Sequence, residues 1–266
     1  MIISTIVVWL IQNRLFILLH FQSNDWRKTM IEYTFYGDLL GMGSYYQLNT
    51  TIAKQKLNYF YNCSHRHLAE LRRIDPTSEI TLFSDSIIVT GENLFEALSR
   101  LNNLYCTLLS NDLLLRGAIV KGRLTFETRI TIDENFQKNL PINDTLARAV
   151  GLEKMLKGSR LIVEKELVTS LFSHCEEWLT LGGYQQNIHK NPENSQILRK
   201  ICPTPNNLHY EMLYRQSDEN YSEETSRIKK SLTHIMRMSD DELKKHYSET
   251  LALIQRSEER ERLLKE

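Results

Sequence analysis

The sequence predicts an α+β protein built as a ferredoxin-like palm, with helices on one face of an antiparallel sheet and a helical extension at the C-terminus. Three observations lead to this fold class. The first is a two-stranded hairpin over residues 79–90. The second is the order of elements around the hairpin, which is the β-α-β-β-α-β arrangement. The third is a highly charged, helix-favouring tail from residue 222 onward.

The composition permits one main domain and excludes several classes of protein. With 266 residues, of which 41% are hydrophobic, the chain can bury one sizeable core. Lys plus Arg and Asp plus Glu number 33 each, so no global positive field attracts nucleic acid, and we expect no nucleic-acid partner. The cysteines lack CxxC spacing, which indicates a reducing, cytoplasmic compartment and argues against structural zinc.

Residues 2–21 form a strongly apolar run whose role the sequence leaves open. Insertion into a bilayer would be marginal, because Arg14 alone costs about 2.5 to 3.5 kcal/mol near the centre of a membrane helix. A spurious leader before a true start at Met30, a membrane anchor and a cleaved signal are the three alternatives. The cleaved signal is the weakest of them, because no small-residue cleavage site follows.

In chain order, the first strand is the short apolar segment that delivers Asp38 and then runs into a Gly-containing turn at 41–43. The following stretch, 46–74, has few helix breakers and apolar residues at helical intervals, which predicts one long helix ended by Asp75-Pro76. The hairpin comes next. Residues 79–83 and 86–90 favour strands and place Asp85 at the turn between them.

Asp38 and Asp85 are the candidate ligands of a divalent cation. A single aspartate at a hairpin is usually a turn former, because its side chain bonds nearby backbone. Two aspartates on adjacent strands, followed by a glycine-containing turn into a helix, instead favour a site for a divalent cation and phosphate. A carboxylate on a tight hairpin has a fixed position, which suits cation binding.

The next two elements are a helix at 94–110, capped by residues 91–93, and a strand within 113–126. Gly117 and Gly122 in that strand mark places where another backbone or a ligand comes close. Arg116 lies among leucines, and a guanidinium in apolar surroundings usually has an anionic partner.

The remaining elements are predicted from caps and apolar spacing. A helix capped at 143–145 runs through Leu156, followed by a strand at 160–164, a helix at 166–179, an irregular stretch at 182–205 and an edge strand within 208–214. The tail contains two helices split near Ser239-Asp240, where residues 239–242 have the form of a capping box.

Four segments carry a resemblance to a known family. They are YGDLLGMG at 36–43, FSDSIIV at 83–89, LLRGAIVKGRL at 114–124 and NDTLARAVGLEKMLKGSRLIV at 143–163. Together they resemble the catalytic domain of class III nucleotidyl cyclases, and more so a bacterial branch associated with the pyrimidine cyclases of Pycsar antiphage defence. The resemblance covers roughly residues 32–168. With the apolar run and the charged tail, it divides the chain into a hydrophobic leader at 1–29, a cyclase-like domain at 30–215 and a charged helical extension at 216–266.

The resemblance also implies a two-metal site. Asp38 and Asp85 match the metal aspartates, and the carbonyl of Leu39 is a further ligand to two Mg²⁺ or Mn²⁺ ions. Backbone amides would contact the triphosphate of a nucleoside triphosphate substrate; they belong to Leu40, Gly41, Met42, Gly43 and Ser44. Such sites are built across a homodimer interface.

Departures from the family pattern bear on substrate and activity. The lysine and aspartate that select adenine correspond here to Thr81 and Leu140, which cannot read a purine. The asparagine and arginine that steady the transition state correspond to Ala147 and Gly151. Arg116 and Arg148 are then the candidate replacements.

The predicted function is cyclisation of a nucleoside triphosphate, UTP or CTP, to a 3′,5′-cyclic nucleotide (cUMP or cCMP) and pyrophosphate. The product would be a second messenger in antiphage defence, read by a downstream cyclic-nucleotide-binding effector. One alternative is a catalytically inactive palm domain that binds nucleotide or dimerises. Another is a membrane-tethered interaction protein in which residues 2–21 span the bilayer. The base and the activating signal are not fixed by the sequence.

Overall fold

The computed structural model describes residues 30–127, 141–173, 197–214 and 221–265. The apolar run at 2–21 and Leu140 lie outside these ranges, so the predictions made for them remain predictions. Within the same ranges, no helix combines the length and apolar character needed to cross a membrane.

The strands and helices follow one another in this order. The first part comprises β1 (Tyr33–Leu39), α1 (Met42–Leu48), α2 (Thr50–Ile74), β2 (Glu79–Phe83), β3 (Ser86–Gly91), α3 (Leu94–Leu109) and β4 (Leu115–Lys121). The second part comprises α4 (Thr145–Glu153), β5 (Leu161–Val163), α5 (Lys165–Ser173), β6 (Ile201–Pro203), β7 (Tyr210–Met212), α6 (Tyr221–Met238) and α7 (Asp241–Lys265).

The sheet contains the predicted palm. Within the described residues, its seven strands run in the order β2-β3-β1-β4-β5-β7-β6, and β1 is antiparallel to both of its neighbours, β3 and β4. The first four strands with α2 and α3 thus form the β-α-β-β-α-β unit, which confirms the fold class. β5 joins β4 in parallel, so the complete sheet is mixed.

The two faces of the sheet are covered by different helices. Successive residues of a strand point to opposite faces, and Tyr33, Phe35 and Leu39 of β1 lie in the main core with buried residues of α2 and α3. On the other face, Tyr36 packs against a smaller cluster that β4 and β5 form with α4. The palm helices therefore share one face, as predicted, while α4 covers the face to which Asp38 belongs.

The predicted single helix over 46–74 is broken at Asn49. This residue is extended, with φ −161° and ψ 107°. Its side-chain oxygen accepts hydrogen bonds from the N–H groups of Thr51 and Ile52 at 2.9 and 3.2 Å. Asparagine caps a helix in this way because its short side chain competes with the backbone for hydrogen bonds. The result is the short helix α1 and the long helix α2.

The strand predicted at the sheet edge is β7, and that prediction is wrong about its position. β7 lies between β5 and β6, and β6 forms the edge from within the stretch predicted to be irregular. Glu211 of β7 is fully buried, because Arg160 and Arg256 both pair with its carboxylate. A charged residue in a short segment is usually exposed to solvent. Glu211 is instead buried with two arginines from distant parts of the chain.

The two C-terminal helices belong to the main core. Their buried apolar residues are part of the same cluster as the palm helices; they are Ile228, Leu232, Tyr247, Leu253 and Ile254. The break between the helices is where the sequence predicts it, but the capping residue is Asp240 rather than Ser239. Asp240 Oδ1 accepts from the N–H groups of Glu242 and Leu243, whereas the Ser239 hydroxyl donates back to Ile235. The predicted domain boundaries remain predictions.

Candidate active site

Asp38 lies near the end of β1, between Ser86 of β3 and Arg116 of β4 in the strand register. The Ser86 hydroxyl donates to Asp38 Oδ1 at 2.8 Å. The Tyr36 hydroxyl lies 3.3 Å from the Ser86 oxygen. Two hydroxyl groups therefore fix the orientation of this carboxylate.

Asp85 lies at the turn between β2 and β3, directly after Ser84, whose φ is 54°. The Leu39 N–H donates to the Asp85 carbonyl oxygen at 2.9 Å, which fixes the hairpin turn against the end of β1. Burial raises the pKa of the Asp38 carboxyl; the hydrogen bond from Ser86 opposes this, and the charge of Asp85 adds to it. The structure thus brings the two predicted aspartates close enough for their charges to interact.

Arg116 has the anionic partner that its sequence context predicts. Its Nε contacts Oε1 of Glu153, the last residue of α4, and the two side chains are 13% and 1% exposed. Burial raises the pKa of the Glu153 carboxyl; Arg116 lowers it, and the charge of Asp38 raises it again. The sequence does not reveal the role of Glu153, because nothing in a glutamate within a predicted helix indicates that it faces a strand.

The turn after β1 partly matches the predicted phosphate-binding segment. Gly41 has φ 81°, a conformation that favours glycine. The Leu40 N–H already donates to the Leu114 carbonyl oxygen at 2.8 Å. The N–H groups in the first turn of a helix have no intrahelical acceptor, so those of Met42, Gly43 and Ser44 are the ones that remain for a ligand.

Thr81 lies on the same face of the sheet as Asp38. It pairs with Ile88 of β3, which in turn pairs with Tyr36 of β1. With strands about 4.8 Å apart, Thr81 is roughly 10 Å from Tyr36 across two strands. Its side chain is exposed, so this part of the sheet forms an open wall beside the carboxylates.

Arg148 is not brought to the two aspartates within one chain. Its guanidinium contacts Glu164 Oε1 at 2.6 Å and Asp144 Oδ2 at 3.2 Å, and it donates to the Lys121 carbonyl oxygen at 2.6 Å. Lys121 pairs with Tyr33 at the opposite end of β1 from Asp38. Tyr33 and Asp38 are five residue steps apart along the strand, which is about 17 Å.

The two positions that depart from the cyclase motif lie on the open surface of α4. Ala147 and Gly151 are both exposed. A Cβ atom added at Gly151 would meet nothing within 4 Å. Nothing within the described chain therefore fills the space that a longer side chain at position 151 would occupy.

The donor set suits a hard divalent cation. In the ranges that the structure describes, no group of three or more His, Cys, Asp or Glu side chains could hold a metal. Mg²⁺ is usually bound by one or two carboxylates together with water and substrate phosphates, and it prefers oxygen ligands. Two adjacent carboxylates beside a backbone carbonyl meet that description, so Asp38, Asp85 and the carbonyl of Leu39 fit Mg²⁺ or Mn²⁺.

The chain is similar in structure to several solved nucleotide cyclases. No protein-family model and no curated protein matches it. Adenylyl cyclase CyaB from P. aeruginosa has a TM-score of 0.45 and 14% identity over 54% of this chain and 81% of its own. The dimeric guanylyl cyclase domain of RhoGC from the fungus Blastocladiella emersonii has 0.46 and 11% over 71% and 97%. An adenylate cyclase from Trypanosoma brucei, in its monomeric state, has 0.46 and 10% over 70% and 89%. Scores and identities this low carry no argument about activity.

Proposed function

We propose that this protein is a nucleotide cyclase that converts a nucleoside triphosphate, UTP or CTP, into a 3′,5′-cyclic nucleotide and pyrophosphate. The observation that carries the proposal is the position of Asp38 and Asp85 on one palm, where the charge of one raises the pKa of the other. Two like charges held together in a partly buried place favour a bound cation.

Asp38, Asp85 and the Leu39 carbonyl would hold two Mg²⁺ or Mn²⁺ ions. When bound, the ions make the ribose 3′-hydroxyl easier to deprotonate and offset the charge of the departing pyrophosphate. Ser86 supports this role, because its hydrogen bond favours the ionised form of Asp38.

The reaction forms a bond from the ribose O3′ to the α-phosphorus and breaks the bond from that phosphorus to the oxygen bridging to the β-phosphorus. The hydroxyl proton passes to water and pyrophosphate leaves. Phosphoryl transfer depends mainly on position and on charge stabilisation, so no histidine or cysteine nucleophile is required. Arg116 supplies positive charge beside Asp38, and the amides of Met42, Gly43 and Ser44 supply hydrogen-bond donors to the phosphates.

A pyrimidine base is favoured by the wall that contains Thr81. By the cyclase resemblance, Thr81 stands where adenylyl cyclases carry a lysine that helps to select adenine. A threonine offers only one short hydroxyl group there. Thr81 is exposed on the face that holds Asp38 and Tyr36. A small neutral side chain here leaves room for a base without supplying the purine-reading charge.

The wider proposal rests on the resemblance of the sequence to the pyrimidine cyclases of antiphage defence. A cyclic pyrimidine nucleotide would act as a second messenger in antiphage defence, through a separate protein that binds cyclic nucleotides and acts as the effector. A homodimer in the cytoplasm is the proposed active form.

The test is incubation of the protein with each of the four labelled NTPs and Mn²⁺, followed by separation of the products. We expect a cyclic product from UTP or CTP and none from the same assay with Asp85→Ala, whose melting temperature should confirm a folded protein. No cyclic product from any NTP would refute the proposal. Nucleotide-dependent thermal stabilisation without turnover would then favour the alternative of an inactive nucleotide-binding palm.

A further inference from the structure

The ion pair between Arg116 and Glu153 differs from the other buried arginine contacts of this protein. We infer that Glu153 is a positioning residue that holds the Arg116 guanidinium ready for the triphosphate of the substrate. This inference rests on the proposed function and assigns a role to a residue for which the sequence predicts none.

The geometry of the pair leaves donors free. Glu153 contacts Arg116 through Nε alone. A guanidinium carries five N–H donors, four of them on its two terminal nitrogens. Among the described residues, those two nitrogens of Arg116 donate no hydrogen bond, and the bond from Nε to Glu153 is the one that the guanidinium makes. One edge of the guanidinium is therefore anchored, while the other can contact a phosphate.

Arg160 shows what a fully structural buried arginine looks like in the same protein. Its Nε donates to the Lys157 carbonyl oxygen, its Nη1 to Glu211 and its Nη2 to Glu249. Every nitrogen has a partner, and the side chain is 1% exposed. Arg116 has one anchored nitrogen and remains 13% exposed. The contrast indicates that Arg116 keeps hydrogen-bond donors for a ligand, whereas Arg160 uses all of its nitrogens in contacts within the fold.

The Arg116–Glu153 pair lies next to the proposed metal site. Arg116 lies directly opposite Asp38 in the β1–β4 register. The charge of Asp38 also reaches the Glu153 carboxyl, so the pair borders the proposed metal site. Without an anchor, a long arginine side chain next to two aspartates would be drawn onto their carboxylates and would compete with a cation. Glu153 prevents this by holding Nε from the side of α4.

The same helix carries the position that lacks the motif arginine. Gly151 lies two residues before Glu153 and is exposed, with open space around it. Here α4 supplies the carboxylate that holds an arginine of the neighbouring strand. Helix α4 would thus still contribute to charge stabilisation, through Arg116.

The experiment compares Arg116→Ala, Glu153→Gln, Glu153→Ala and the double variant Arg116→Ala/Glu153→Ala. We measure kcat and KM for the NTP that is cyclised, together with affinity for non-hydrolysable analogues of UTP and CTP in Mn²⁺. Loss of one preorganised donor in a catalytic site typically lowers kcat by about 10²- to 10³-fold, which is the expected effect of Arg116→Ala. Each Glu153 variant should lower kcat by at least about tenfold, and the double variant should be no worse than Arg116→Ala. Glu96→Gln is the matched control, since it removes the carboxylate of the Arg100–Glu96 pair on α3 and should leave the kinetics unchanged.

The outcomes separate this inference from the proposed function. If the wild type makes cyclic product and Glu153→Gln has the same kcat, or if the two losses multiply in the double variant, Glu153 does not act through Arg116. Glu153→Gln keeps the side-chain shape, so it remains informative even if Glu153→Ala fails to fold. If the wild type cyclises no NTP, the proposed function is refuted. Affinity for the non-hydrolysable analogues then tests the role of Glu153. Weaker triphosphate binding by both Glu153→Gln and Arg116→Ala supports the inference, whereas unchanged binding, or none by the wild type, overturns it.

Discussion

The Ser86 hydroxyl donates a hydrogen bond of 2.8 Å to Asp38 Oδ1 across the β1–β3 pair. This bond works against burial, which raises the pKa of the Asp38 carboxyl. A carboxylate must be ionised to hold a divalent cation. The ionised form of Asp38, which the proposed metal site requires, is therefore favoured by Ser86, the residue that the strand register places beside it.

Replacement of Ser86 by alanine should raise the pKa of Asp38 further, because the hydrogen bond favours the ionised form. The carboxyl would then stay protonated up to a higher pH, and the acid side of the pH–activity profile should move to higher pH. A ¹³C NMR titration of the metal-free protein measures the change directly. Ser170→Ala on the distant helix α5 serves as the control. An unchanged Asp38 titration in Ser86→Ala would show that the bond does not affect its ionisation.

Gly117→Ala should destabilise the protein by packing alone. An added Cβ would lie 2.6 Å from an edge carbon of the Phe35 ring and 2.6 Å from the backbone oxygen of Tyr36. Such overpacking typically costs about 1–3 kcal/mol. Gly151→Ala is the matched comparison: its Cβ meets nothing within 4 Å, and alanine in place of a helical glycine should stabilise by roughly 0.5–1 kcal/mol. Urea unfolding of both variants checks the difference, and equal free energies of unfolding would contradict it.

The sequence predicts the palm well because its strands and helices have strong local patterns. The hairpin with Asp85 at its turn and the helix ending near Asp75 are both present in the structure. The errors in the predicted helix boundaries come from single capping residues. Asn49 and Asp240 act as caps through side-chain bonds whose geometry the residue type alone does not fix.

The proximity of Asp38 and Asp85 could be predicted although the two residues are far apart in the sequence. Asp38 and Asp85 are brought together by the β1–β3 pairing, which the element order already implies. Glu153 and the distant position of Arg148 depend on which face α4 covers and on the β1–β4 register. Neither can be derived from helical periodicity, because a period of 3.6 does not indicate which strand a helix meets. At Gly117 the backbone of Tyr36 comes close, as predicted, and the ring of Phe35 lies equally near, which the sequence does not indicate.

Asp75 should contribute stability that depends on pH. Burial alone would raise its pKa, but hydrogen bonds from Thr77, Ser78 and the N–H groups of Glu92 and Asn93 lower it below the ordinary value of 3.8. A carboxyl with a depressed pKa in the folded state stabilises the protein above its unfolded pKa, and this contribution is lost as the pH falls through the folded value. Asp75→Asn should therefore cost about 1–3 kcal/mol near neutral pH.

The measurement is urea unfolding of wild type and Asp75→Asn across the acid range. The difference in unfolding free energy should be constant near neutral pH and should shrink once the pH falls below about 3.8. Asp241→Asn, at a side chain that is 93% exposed, should change stability little at any pH. A pH-independent difference for Asp75→Asn would mean that its ionisation does not stabilise the fold.

Leu253→Ala should show that helix α7 is part of the core. Leu253 is 0% exposed within the cluster that also holds the palm helices. Truncation of a buried leucine typically costs about 2–5 kcal/mol. Leu48→Ala, at a leucine that is 83% exposed on α1, should cost far less. A wild-type free energy of unfolding for Leu253→Ala would contradict the packing of α7 described above.

The most direct test of the site is a Mn²⁺ titration by electron paramagnetic resonance, with a non-hydrolysable UTP or CTP analogue present. The wild type should bind two ions per chain, since Asp38 and Asp85 are proposed to hold both together. Asp38→Asn and Asp85→Asn should each lose Mn²⁺ binding while keeping the wild-type melting temperature. Binding of two ions by both variants, with wild-type affinity, would contradict the shared metal site on which the proposed cyclase depends.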